Sequence, residues 1–156
     1  MTIVGSTLRG ANIGDSGFLV VRNGGLLYRQ KEQQHSFNFP FQLGSESCDS
    51  PSDADLVELE VQAGDVVVAA TDGVLDNLFP KEIVAIVSEG LTLGKTEVEI
   101  ADRIAQMSFA RSNARSGTSP FSVAAQAANW FHVGGKPDDI TCVVGIIEAK
   151  PQVAKL

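Results

Sequence analysis

Two short acidic stretches sit where apolar runs end or begin. Val66-Val67-Val68-Ala69-Ala70 runs into Thr71-Asp72-Gly73-Val74-Leu75-Asp76-Asn77, and Pro137-Asp138-Asp139-Ile140-Thr141 leads into the apolar run 140–147. A carboxylate at a strand end is held by a rigid backbone while its oxygens face a cleft. Hard divalent cations need such groups; Mg²⁺ takes oxygen ligands at about 2.1 Å in octahedral geometry. On pattern alone an Asp-Gly pair is equally a turn, and an Asp-Asp pair equally a solvated strand end. The metal reading gains weight because both clusters flank apolar strands expected to be neighbours in one sheet. Asp15, at a junction between strands in Gly14-Asp15-Ser16-Gly17, is a third candidate carboxylate. A calcium EF-hand loop is excluded, since its alternating acidic pattern and terminal glutamate are absent.

Other chemistries fare worse. Gly-Asp-Ser-Gly surrounds the nucleophile of some serine proteases, but their His-Asp-Ser order requires a histidine before Ser16 and there is none. Gly134-Gly135-Lys136 lacks the glycine spacing and following helix of a phosphate loop. His35 reads as solvated, and His132 as a group beside a site at most. Arg111 and Arg115 bracket a serine-rich loop and read as solvated surface, with an anionic ligand as the alternative. Phe37, Phe39 and Phe41 read as anchors that pack a long loop on the core.

The elements that must position these residues follow from periodicity. Residues 6–13 alternate loosely, 17–22 are an apolar run, and 26–30 return after Asn23-Gly24-Gly25, a hairpin signal because Asn and Gly tolerate positive φ. Residues 31–51 read as a polar loop. Residues 56–61 alternate with period two, predicting one buried face, whereas 66–70 are continuously apolar, as in a strand covered on both sides. Pro80 opens a helix over 81–89. Thr96 and Glu99 form a capping box for a second helix, expected to bury Val98, Ile100, Ile104, Ala105 and Phe109. Residues 122–128 predict a third helix and 140–147 a closing strand. Strands, then helices, then a strand make an α+β fold.

At 156 residues the chain predicts about one domain. Twelve basic against nineteen acidic side chains give a formal net charge of −7. That balance argues against nucleic-acid and anionic-membrane partners. No run approaches the ~18 apolar residues of a membrane span, and the first residues do not read as a signal peptide. Cys48 and Cys142 lie far apart with no Cys-x-x-Cys spacing, which predicts reduced thiols rather than a zinc site or a disulfide framework. The expected setting is intracellular, cytoplasmic or organellar.

Taken in order, Ala11-Asn12-Ile13-Gly14-Asp15-Ser16-Gly17, the stretch from Gly64 through Thr71-Asp72-Gly73 to Asn77, and Lys136-Pro137-Asp138-Asp139-Ile140-Thr141 resemble the later motifs of the PP2C (PPM) family. These are metal-dependent protein serine/threonine phosphatases. The stretch from Gln34 to Leu43 and Ser119-Pro120-Phe121 are similar to the plant and mitochondrial PTC7-like subgroup. The resemblance implies part of an antiparallel β-sandwich flanked by helices, in an α-β-β-α order. It also implies a binuclear Mg²⁺ or Mn²⁺ site, with a more weakly held third metal in some members. Asp72 and Asp138 match carboxylate ligands of the metal pair. Asp15 and Asp76 match carboxylates of the third metal. Asp139 and Gly73 flank the ligands. In such enzymes a metal-activated water, not a side chain, attacks the phosphorus.

The resemblance runs from about Thr7 to Glu148 and implies that residues 1–149 are the later portion of a phosphatase domain, with 150–156 expected to be a disordered tail. The family's Asp-Gly-x-Gly-Gly segment, which supplies a bridging aspartate, and its upstream phosphate-gripping arginine have no counterpart among these residues. The expected function is hydrolysis of phosphoserine or phosphothreonine in a phosphoprotein, with the missing half or a full-length relative expected to be needed. The alternative is a non-catalytic pseudophosphatase or regulatory module. Five clustered aspartates with no basic partner assured are expected to repel one another until a cation relieves them.

Overall fold

The computed structural model describes residues 1–44 and 49–149. Cys48 and the expected tail at 150–156 lie outside the described residues. The chain forms β1 (Thr2–Val4), β2 (Thr7–Asn12), β3 (Gly17–Arg22), β4 (Gly25–Arg29), β5 (Gln34–Ser36), β6 (Phe39–Pro40), β7 (Asp55–Glu60) and β8 (Val66–Ala70). There follow α1 (Asp72–Leu75), α2 (Pro80–Thr92), α3 (Glu97–Ser112), α4 (Pro120–Ala127) and β9 (Cys142–Ile146). One sheet has the order β1-β2-β7 and a second the order β4-β3-β8-β9, with every pairing antiparallel. The α+β expectation holds.

Strand alternation divides the core in two. Leu8, Phe18, Val20 and Val61 pack between the sheets, with Val57, Leu59, Val67 and Ala69 against them. Leu19, Val21, Val66, Val68 and Ala70 point the other way, onto Val74, Leu78, Ile83, Val87, Ile100 and Ile104 of the helical layer. The continuously apolar β8 is thus covered on both faces, its even-numbered residues by helices and its odd-numbered ones by the other sheet. The wet face of β7 carries Glu58, Glu60 and Leu56, the last 81% exposed.

The hairpin between β3 and β4 turns at Asn23 and Gly24, with φ of 50° and 75°. Two successive positive φ values match the twist of the flanking strands, so the turn chemistry fixes the register. At the turn end of β3, Arg22 places Nε and Nη2 at 2.8 and 2.7 Å from the Asp65 carboxylate, which is 1% exposed and also accepts from Gln62 N. The Arg22 bond holds the Asp65 carboxyl below the usual aspartate range.

Several local expectations are corrected. The stretch 31–51 contains the β5–β6 hairpin, because Asn38 adopts a φ of 56° and turns the chain. Phe37 packs on Phe121 and Trp130 and Phe41 stacks on His35, but Phe39 is exposed, so the phenylalanines do not form one anchor. His35 is not merely solvated; its Nε2 lies 2.9 Å from Asp49 Oδ1. Arg111 is structural: its Nη2 donates to Glu82 Oε1 at 2.8 Å and ties α3 to the first turn of α2. The fourth helix starts at Pro120, since the buried Ser119 hydroxyl accepts from Ser122 N and donates to Gly134 O.

The capping box of α3 forms as read, with Glu99 N donating to Thr96 Oγ1 and Thr96 N to Glu99 Oε2. Its buried stripe is Ile100, Ile104, Ser108 and Ser112, spaced by four. Val98 and Phe109 are 77% and 66% exposed. Two serines join the core face because each hydroxyl donates to a carbonyl of the preceding turn, Ser108 to Ile104 O and Ser112 to Phe109 O. Thr96→Ala is expected to cost about 1 kcal/mol, the usual worth of an N-cap. Phe109→Ala should stay within about 0.5 kcal/mol, as for surface positions. Urea denaturation of both variants checks the assignment; a reversed ranking would put Phe109 in the core.

Candidate metal centre

The acidic stretches meet because β8 and β9 are adjacent and antiparallel, with Ala70 opposite Cys142. That register puts the C-terminal end of β8 beside the N-terminal approach to β9. Thr71 closes the junction: its N donates to Thr141 O at 3.1 Å, while its hydroxyl donates to Asp139 O and accepts from Thr141 N. Asp72 then begins α1, and one turn later Asp76 returns to the same side, its N donating to Asp72 O.

Gly73 permits this proximity. A Cβ there would overlap the Asp139 carbonyl and crowd Ile140 Cγ1 at 3.2 Å, so only glycine lets the two backbones meet. Asn77, fully buried, is the second clamp. Its Nδ2 donates to Gly73 O and Lys136 O, both at 2.9 Å, and its Oδ1 accepts from Lys136 N at 3.0 Å.

Carboxylate oxygens of Asp72, Asp76 and Asp138 lie within 4.8 Å of one another. At their centre is the Lys136 ammonium, 2.8 Å from Oδ2 of each. This corrects the expectation of an acidic cluster with no basic partner. Lys136 was read as part of a failed phosphate loop and as the first residue of the Lys136–Thr141 stretch, with no role given to its charge; the signal missed was its place two residues before Asp138. Asp15 does not join the three; it lines, with Asp76, Phe37 and Phe121, an open groove of about 740 Å³ beside them. Asp139 contributes its backbone: its N donates to Asp138 Oδ1 and orients that carboxylate. His132 lies near, its ring edge on Phe121 and its Nε2 3.0 Å from Gly135 O.

Burial opposes the Lys136 charge, but hydrogen bonds to Asp138, Asp72 and Asp76 outweigh it and hold its pKa above the usual lysine value. Asp138 is held low chiefly by its bond to Lys136. Asp76, the deepest of the three, is pushed up to about 6 by burial, with Lys136 offsetting only part. Asp15 is raised by burial and by the Asp72 charge. A raised aspartate pKa favours the protonated form in the fold. Its contribution is complete below the unfolded value of 3.8 and is lost as pH rises through about 6. Metal-free protein in EDTA is therefore expected to lose stability between pH 5 and pH 7. Denaturation at both pH values checks this; the loss should shrink in Asp76→Asn, and an equal loss in that variant assigns it to another group.

The donor set suits a hard divalent cation: carboxylate oxygens on the short helix after β8 and on the approach to β9, already gathered around one positive charge. Cys142 is no rival nucleophile, since burial pushes its thiol up to about 11. Among the described residues no helix is long and apolar enough to cross a membrane.

The chain is thus an antiparallel two-sheet sandwich with a helical layer and an acidic cluster at one sheet end. No family model matches the chain. Probable protein phosphatase 2C 80 of Arabidopsis thaliana is 44% identical over 141 residues, covering 90% of this chain and 34% of that protein. A protein phosphatase PTC7 homolog of Drosophila mojavensis is 41% identical over 155 residues, covering 91% and 49%. The photosystem II phosphatase PBCP superposes with a TM-score of 0.85 at 30% identity, over 93% of this chain and 60% of that one. The catalytic domain of the serine/threonine phosphatase PstP, in complex with two manganese ions, shares the fold at a TM-score of 0.60 and 20% identity, over 94% of this chain and 56% of that one. The resemblance to protein phosphatases 2C, PTC7 homologues included, thus extends over about nine tenths of the chain and to its fold. The chain spans between a quarter and a half of the length of the curated relatives it matches.

Proposed function

We propose that this chain carries part of the active centre of a metal-dependent protein serine/threonine phosphatase. Asp72, Asp76 and Asp138 would hold Mg²⁺ or Mn²⁺, with Asp15 facing a further, weaker metal position across the groove. The observation that carries this reading is the convergence of three carboxylates from two distant segments on one cationic centre.

A divalent cation bound there supplies Lewis acidity toward a phosphoryl oxygen and toward an attacking water. The chain's own residues do the positioning. Thr71, Gly73 and Asn77 hold the two strand ends together, so the carboxylates are gathered before any ligand arrives, which avoids reorganisation during the reaction. The backbone N of Asp139 fixes the rotamer of Asp138. The adjoining groove, walled by Phe37 and Phe121, offers space for the peptide around a phosphorylated side chain.

One observation favours a second reading, a non-catalytic module that binds a phosphoprotein: Lys136 already neutralises part of the cluster. Phosphopeptide hydrolysis with Mn²⁺, with EDTA, and for Asp138→Asn separates the two. The enzyme reading expects turnover that EDTA abolishes. It also expects a Mn²⁺ requirement raised roughly 10–100-fold in the variant, the usual range for weakening a metal site. Silence under every metal, with phosphopeptide binding intact, supports the module.

A further inference from the structure

We propose that Lys136 is a built-in counter-cation which a divalent metal must displace, so that this one side chain sets the metal concentration at which the cluster loads. The inference rests on the metal-site reading above and goes beyond it, because it concerns what the cluster does without metal.

The argument is geometric. The ammonium touches Oδ2 of Asp72, Asp76 and Asp138 at the same 2.8 Å, so it uses one oxygen of each carboxylate that a metal would use. One carboxylate oxygen from each of the three residues lies within 4.8 Å of the other two. A dication reaching the same oxygens would lie against the ammonium, and like charges at such range repel strongly where water is scarce. The side chain of Lys136 is only 18% exposed. Two cations cannot share this space, and one must leave.

Main chain and side chain are held differently, which makes exchange feasible. The Lys136 backbone is bonded on both sides to Asn77 and follows Gly134 and Gly135, where an added Cβ would overlap the carbonyls of Ala114 and Arg111. Among the described residues, the ammonium's one further contact beyond its three carboxylates is a cation–π contact, 5.2 Å from the Phe121 ring centre. The lysine stem can therefore rotate away without disturbing the strand ends. With the metal gone it returns, keeping the carboxylates from repelling one another. Lysine suits this role as a compact point charge on a flexible stem, where arginine would grip in a fixed fork.

The test reads displacement directly. Wild-type protein is reductively methylated with and without Mn²⁺, and labelling of Lys136 is compared by mass spectrometry with that of exposed Lys81. Calorimetric Mn²⁺ titration then compares wild type with Lys136→Met, Lys136→Arg and Asp138→Asn. Mn²⁺ is expected to raise Lys136 labelling at least fivefold while leaving Lys81 unchanged. Lys136→Met should bind Mn²⁺ at least tenfold more tightly than wild type and melt lower without metal; Lys136→Arg should gain no affinity. If wild type and Lys136→Met bind Mn²⁺ equally, with labelling unmoved, the displacement proposal fails while the metal site stands. If neither binds Mn²⁺, the metal-site reading fails and takes the proposal with it. Should Lys136→Met not fold, labelling of the wild type still decides: no rise in Lys136 reactivity at saturating Mn²⁺ overturns displacement.

Discussion

Asn77→Ala is expected to remove about 4 kcal/mol of folding stability, at the limit of what single substitutions cost. The side chain is fully buried and makes three hydrogen bonds, two to the backbone of Lys136 and one to Gly73 O. Alanine strands all three backbone groups, and each buried unsatisfied group costs about 1–3 kcal/mol unless water follows. Against a typical total of about 5–15 kcal/mol this is a large share. At about 2–4 °C per kcal/mol for a chain this size, the melting temperature should fall by roughly 10 °C. The functional consequence is as direct, since Asn77 joins the segment bearing Asp72 and Asp76 to the one bearing Asp138. Thermal melts with and without Mn²⁺ should show both the loss and a weaker metal response. A loss under about 1 kcal/mol would mean that water replaces the amide and that the clamp is dispensable.

Gly73→Ala tests the same junction with the opposite sign from local expectation. Gly73 lies in α1 and its φ is negative, so helix propensity alone predicts that alanine stabilises by about 1 kcal/mol. The added Cβ, however, would overlap the Asp139 carbonyl, and backbone cannot rotate aside as a side chain can. Overpacking costs about 1–3 kcal/mol and occasionally more; here it should exceed the propensity gain and leave a net loss of about 3 kcal/mol. Relief requires the approach to β9 to move outward, carrying Asp138 away from Asp72. Stability and Mn²⁺-induced stabilisation are therefore expected to fall together. A stabilised variant would mean that the strand ends yield freely. Because Gly73 and Asn77 hold one junction, their double substitution should cost less than the sum.

The two acidic stretches were legible because their signals are local. Asp72 and Asp138 each flank an apolar strand, and that reading needs only composition and period. The Asn23-Gly24 turn, the Thr96–Glu99 box, Pro80 as a helix start and the double-sided burial of β8 likewise depend on residues within a few positions of one another. The same local logic failed on α3, where Val98 and Phe109 are apolar but face outward. A helix buries the stripe that meets its neighbours, and here that stripe includes serines able to satisfy themselves on their own backbone.

What the tertiary structure alone decided is which charges share one point in space. Lys136 lies 64 residues from Asp72 and 60 from Asp76, and Asn77 lies 59 from Lys136. Such contacts follow from the pairing of β8 with β9, and a slip of one residue would turn their side chains to opposite faces. The amino-acid sequence supplied a set of carboxylates and a lysine of no evident purpose. The register made them one site, because only the fold sets distances between residues this far apart, and Coulomb energy depends on distance in space rather than along the chain.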